Sequence, residues 1–80
     1  MNNRLRWLCR RGSLELDIIL TRYLNQRYES AIESEKKLFE ELLALEDSDL
    51  QHYFIAQEVP EDPVLAQLVH TIRSIGPDSA

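Results

Sequence analysis

The stretch CRRGSLELDIILTRYL, residues 9–24, combines a helix boundary with a long apolar stripe. After Gly12 and Ser13, the apolar side chains are Leu16, Ile19, Leu20, Tyr23 and Leu24. Their spacing of i, i+3, i+4, i+7 and i+8 places them on one face of an α-helix. Glycine readily adopts the left-handed conformation that ends a helix, and a following serine can cap the next helix through its hydroxyl. The stretch therefore predicts two helices joined at Gly12 and Ser13.

The same helical spacing recurs on both sides of this stretch. Further stripes are formed by Leu5, Leu8 and Cys9; by Leu38, Phe39, Leu42 and Leu43; by Leu50, Tyr53 and Phe54; and by Leu65, Leu68, Val69 and Ile72. No alternation of apolar and polar residues indicates a strand. We predict an all-α fold, a small compact bundle of five helices at residues 2–11, 14–28, 31–45, 48–57 and 62–75. Residues 1–75 then form one domain, and residues 76–80 form a frayed tail.

Local capping signals predict where the helices begin and end. Ser30-Ala31-Ile32-Glu33 resembles a capping box, with Ser34 as an alternative start, and Ser48-Asp49-Leu50-Gln51 resembles a second box. Asp62-Pro63 places a capping aspartate before a proline at the first helical position. Gly76-Pro77 is predicted to close the last helix.

Charge is distributed unevenly along the chain, whose net charge is −5. Residues 1–11 carry four arginines and no acid, whereas residues 12–80 carry five basic and fourteen acidic side chains. An acidic body argues against nucleic-acid binding, because affinity for nucleic acid comes mostly from neutralised phosphates. The four arginines within residues 1–11 are compatible either with a solvent-exposed helix or with contact to an anionic partner.

Compartment and membrane signals are sparse. The single cysteine excludes an intramolecular disulfide. The longest apolar runs are four residues, at 42–45 and 53–56, which is too short for a membrane-spanning helix. We expect a cytoplasmic protein without direct membrane insertion.

No arrangement of residues indicates catalysis or metal binding. Cys9 shares an apolar stripe, which predicts a packed thiol. His52 and His70 fall in separate helices without metal-ligand spacing, and two glycines cannot build a phosphate loop. We therefore expect no enzymatic activity, no metal and no cofactor held by this chain. Trp7 falls at the edge of its stripe, and a place in the core is favoured over a surface anchor.

Two interpretations of the junction at Gly12 remain open. Arg10 and Arg11 near the end of one helix, and Glu15 and Asp17 in the first turn of the next, complement the helix dipoles. Alternatively, Gly12 leaves a surface without a side chain, which another protein's backbone could approach. Arg11 would then offer donors, and Glu15 an acceptor, to that protein.

Arg11-Gly12-x-x-Glu15 resembles the RGxxE motif of the succinate dehydrogenase assembly factor family, the SdhE-type flavinylation factors, also described as CptB antitoxins. The resemblance extends over nearly the whole chain, through residues 4–7, 9–12, 14–17, 28–29, 37–43, 47–50 and 65–73. Two positions depart from the family pattern. Ser13 stands where many relatives carry methionine, and Tyr53 stands where they often carry tryptophan.

The resemblance implies a small helical bundle that binds the flavoprotein subunit of succinate dehydrogenase, and of fumarate reductase. Such a factor promotes covalent attachment of FAD to that subunit, so FAD is the client's cofactor. Carried over by position, Arg11, Gly12 and Glu15 form the partner-binding surface. We add Trp7, Arg10 and Asp17 as flanking residues, and we expect a monomer. The alternative is an antitoxin-like regulator that binds a toxin or another protein client.

Overall fold

The structure is a computed structural model that describes residues 3–76. Within that range it contains five α-helices: α1 (Asn3–Leu8), α2 (Leu14–Gln26), α3 (Glu33–Leu43), α4 (Asp47–Phe54) and α5 (Pro63–Arg73). A short 3-10 turn, Tyr28–Ser30, connects α2 to α3. The predicted all-α bundle of five helices is confirmed, with most helices ending earlier than predicted. Of the predicted tail, only Gly76 lies among the described residues.

The core is built from the predicted stripes. Its buried members are Leu5, Cys9, Leu16, Leu20, Tyr23, Leu24, Phe39, Leu42, Leu43, Leu50, Phe54, Leu68, Val69 and Ile72. At one end, the rings of Tyr23 and Phe39 pack with their centroids 4.4 Å apart, and Tyr28 covers Phe39 at 5.8 Å. Burial of these side chains is the main force that holds the short helices together, because isolated helices of this length are marginal in water.

Helix α2 is the centre of the bundle. It packs against α1, the 3-10 turn, α4 and α5, while α3 packs mainly against α5. Because its neighbours cover one side only, α2 leaves an outer face exposed to solvent. None of the helices within residues 3–76 combines the length and apolar character needed to cross a membrane.

The predicted starts of α2 and α5 are confirmed, and those of α3 and α4 differ from the prediction. Asp62 Oδ1 accepts a hydrogen bond from the Val64 N–H at 2.9 Å, with proline at the first helical position. Ser13 occupies the N-cap of α2, but its side chain makes no capping bond. The box at residues 30–33 is not formed, because the Ser30 hydroxyl donates to the Arg27 carbonyl within the 3-10 turn.

The remaining boundaries also differ from the prediction. α3 begins at Glu33, so Ser34 lies inside it, and α4 begins at Asp47, one residue before the predicted serine start. The second capping box is therefore also wrong. α5 ends at Arg73, two residues before the predicted end at residue 75, and the Ser74 hydroxyl donates to the His70 carbonyl at 2.8 Å.

Candidate functional site at the junction of α1 and α2

The turn between α1 and α2 is fixed by a left-handed glycine and an aspartate. Gly12 has φ +83°, as its position after a helix predicts. Asp17, in the first turn of α2, reaches back across it, and its Oδ1 accepts the Arg11 backbone N–H at 2.6 Å. An acidic side chain there also complements the positive end of the helix dipole. Asp17 therefore satisfies a backbone N–H of the turn that precedes α2, whereas the side-chain cap predicted for Ser13 is not formed.

Arg11 holds this turn to the rest of the bundle. Its side chain is 14% exposed, and Nε donates to Asp47 Oδ1 at 2.8 Å. Nη1 donates to the carbonyls of Leu8 and Leu43 at 3.1 and 2.9 Å, and Nη2 to that of Leu45 at 2.7 Å. Four of the five guanidinium N–H groups are thereby occupied. The guanidinium joins the ends of α1 and α3 to the start of α4.

Around this rigid turn, several side chains are exposed. Trp7 and Leu14 are 73% and 75% exposed, although both are large and apolar. Gly12 is also exposed, and no heavy atom lies within 4 Å of the position that a Cβ would take. With the exposed Arg10 and Glu15, these residues form what we call the junction surface: Trp7, Arg10, Gly12, Leu14 and Glu15.

The predicted core placement of Trp7 is wrong. Trp7 follows Leu5 by two residues, which turns it about 200° around the axis of α1, away from the core. Leu14 was missed by the sequence analysis because it stands alone before the apolar stripe of α2. Its position off that stripe is the signal that could have identified it. Of the predicted site residues, Arg11 and Asp17 stabilise the turn through hydrogen bonds to other residues of the chain.

The nucleophiles and imidazoles do not form a reactive site among the described residues. Cys9 is fully buried, and desolvation raises the pKa of its thiol to about 11, against the opposing effect of Arg6 and Arg11. The predicted packed thiol is confirmed. His52 and His70 are exposed on different helices. No three His, Cys, Asp or Glu side chains within residues 3–76 are grouped to hold a metal ion.

A second polar cluster is structural. Glu35 Oε2 accepts hydrogen bonds from the buried Tyr23 hydroxyl at 2.6 Å and from Arg27 Nε at 2.9 Å. The hydrogen bond from Arg27 is the largest cause of the lowered pKa of Glu35, and burial opposes it. Burial also raises the pKa of Tyr23. The cluster satisfies a buried hydroxyl and ties α2 to α3.

Comparison with known proteins identifies the family. A family described as "Flavinator of succinate dehydrogenase" matches residues 3–75. The FAD assembly factor SdhE of Methylococcus capsulatus is 44% identical over 72 residues, covering 90% of this chain and 87% of the relative. The proteins of the same name from Shewanella oneidensis and Coxiella burnetii are 41% and 32% identical, over 88% and 92% of this chain and 85% and 90% of the relatives. No solved structure matches the chain significantly. The chain belongs to the family of flavinators of succinate dehydrogenase.

Proposed function

We propose that this protein is an assembly factor that binds the flavoprotein subunit of succinate dehydrogenase and promotes covalent attachment of FAD to it. The family match over residues 3–75 supports this role. The structural observation that supports it best is the junction surface, where Trp7 and Leu14 are exposed around an open glycine. Exposed aromatic and aliphatic side chains beside accessible backbone are typical of protein interfaces.

The residues at the junction divide into two roles. Arg11 and Asp17 position the turn, because their hydrogen bonds lie within the chain. Gly12 and Glu15 contact the client: the glycine lets the client backbone approach, and the glutamate accepts hydrogen bonds from it. Glu15 makes no side-chain hydrogen bond with another residue in the range 3–76, so its carboxylate remains available.

Trp7 and Arg10 flank this contact and extend it along α1. The covalent chemistry takes place on the client, and FAD is the client's cofactor. The protein contributes binding and a rigid surface rather than a reacting group. We extend the proposal to the related flavoprotein of fumarate reductase, which the resemblance of the RGxxE motif supports.

The test is in-gel fluorescence of covalently bound flavin on the flavoprotein subunit. Cells that lack this protein are complemented with the wild type, with Gly12→Arg or with Gly76→Arg. Gly76 is a matched control, because it is also exposed and has open space at its Cβ position. We expect the wild type and Gly76→Arg to restore covalent flavin, and Gly12→Arg to fail.

A further variant separates backbone strain from bulk. Asparagine tolerates the left-handed conformation better than other side chains, so Gly12→Asn imposes less strain than Gly12→Arg. We expect Gly12→Asn to fold with a thermal midpoint below that of the wild type but above that of Gly12→Arg, and still to lose part of the covalent flavin. Full covalent flavin in cells without the protein would contradict the proposed function and would favour a different protein client, such as a toxin.

A further inference from the structure

The outer face of α2 carries an arginine, Arg22, whose side chain has no hydrogen-bond or ion-pair partner within residues 3–76. Arg22 is nevertheless half-buried. It lines a depression of about 430 Å³ together with Arg10, Asp17, Ile18, Thr21 and Asn25. On its other side it borders Glu15, Phe54 at the end of α4, and Ile55 just after that helix. A partly desolvated guanidinium with all its donors available favours a bidentate carboxylate.

The charge around this depression is locally positive. Arg10 and Arg22 both line it, and the side chain of Arg10 also lacks a partner among residues 3–76. Its single acid, Asp17, already accepts the Arg11 N–H at 2.6 Å. Because residues 12–80 carry fourteen acids and five basic side chains, an acidic segment is repelled by most of the body. Such a segment is attracted to the face that carries Arg10 and Arg22, and this attraction orients the segment on the protein.

The outer face of α2 is continuous with the junction surface. Leu14, Ile18 and Arg22 follow one another at intervals of one turn, on the side opposite the buried Leu16 and Leu20. Ile18 is 40% exposed, so an apolar strip leads from Gly12 to the unpartnered guanidinium. From Leu14 to Asn25 the strip measures about 17 Å.

We propose that this face, Leu14, Ile18, Thr21, Arg22 and Asn25 with the neighbouring Arg10, binds an acidic segment of the client flavoprotein. The inference rests on the proposed function. Arg10 and Arg22 bind carboxylates of that segment, while Leu14 and Ile18 contact an apolar side chain next to them. The occupant is thus a client surface segment in which aspartate or glutamate stands beside an apolar residue.

The test measures the Kd of the purified flavoprotein subunit for Arg22→Glu and for Lys37→Glu at about 50 and 300 mM salt. Lys37 is a matched control, because it is an exposed lysine on α3 and the charge change is the same. We expect Arg22→Glu to weaken binding about tenfold at low salt and less at high salt, since charge contacts are screened. Lys37→Glu stays within about twofold of the wild type.

Several outcomes overturn the inference. Equal losses for Arg22→Glu and Lys37→Glu would show only a general effect of charge. Wild-type affinity of Arg22→Glu, together with loss of binding by Gly12→Arg, would remove this inference and leave the proposed function in place. No binding by the wild-type protein would overturn both. The Arg22 side chain makes no hydrogen bond with another described residue, so a thermal midpoint equal to that of the wild type is expected for Arg22→Glu.

Discussion

Replacement of Arg11 by alanine tests whether the motif arginine holds the bundle together. The wild-type guanidinium donates to three carbonyls, on Leu8, Leu43 and Leu45, and to the Asp47 carboxylate. In Arg11→Ala all four hydrogen bonds are lost, and the carbonyls must find water instead. We therefore expect the variant to be strongly destabilised, although Arg11 is not a member of the apolar core.

The size of the effect follows from these contacts. Each of the three hydrogen bonds to a carbonyl contributes about 1 kcal/mol. The ion pair with Asp47 adds about 0.5 kcal/mol, because the Asp47 side chain is 50% exposed and solvent screens the pair. The sum is about 3.5 kcal/mol. A domain of this length has a free energy of unfolding of about 4–12 kcal/mol, so the loss is a large fraction of it.

Urea unfolding followed by circular dichroism measures this change. We expect Arg11→Ala to lower the free energy of unfolding by about 3.5 kcal/mol with an unchanged m-value, and to lower the melting temperature by on the order of 20 °C. Arg10→Ala is the matched control, because the exposed Arg10 side chain makes no hydrogen bond with another described residue, and it should unfold at the wild-type midpoint. A free energy for Arg11→Ala within about 0.5 kcal/mol of the wild type would refute the reasoning.

Four further predictions concern other parts of the chain. Trp7, the only tryptophan, should be quenched by acrylamide in the free protein and protected when the flavoprotein binds; equal quenching in both states would contradict its place in the interface. Cys9 should react with Ellman's reagent at about pH 8 only after unfolding, because burial keeps its thiol protonated and enclosed. Asp62→Ala should lower the free energy of unfolding by about 1 kcal/mol through loss of the cap on Val64, measured by urea unfolding against Glu61→Ala. The lowered pKa of Glu35 means that its ion pair stabilises the fold fully above its ordinary pKa of 4.5 and loses this effect as pH falls through the lower folded-state value, so Glu35→Gln should flatten the acid side of the stability curve.

Periodicity predicted the core well, because burial depends on which face of a helix a residue occupies. The burial of the stripe from Leu16 to Leu24 was predicted correctly, as was the left-handed conformation of Gly12. The start of α5 was also predictable, since Asp62-Pro63 acts within one turn. These features depend on residues close together in sequence.

Features that depend on distant contacts were not predictable. Arg11 is separated in sequence by 32 to 36 residues from its hydrogen-bond partners Leu43, Leu45 and Asp47. A local sequence pattern therefore cannot predict these bonds. Asp47, which accepts one of these bonds, is also the first residue of α4, where the sequence predicted Ser48. The Arg22 side chain has no hydrogen-bond or ion-pair partner among the described residues, and this could not be predicted either. It depends on how α1 and α4 flank α2.

The hydrogen bonds of the Arg11 guanidinium change how genetic variants in the RGxxE motif should be interpreted. A variant at Arg11 lowers the steady-state level of the protein, because cells degrade chains that unfold more often. A variant at Glu15, whose carboxylate makes no hydrogen bond or ion pair with another described residue, leaves abundance normal and alters only recognition. Two alleles four residues apart would then share a phenotype for different reasons. Overexpression should rescue the first and not the second.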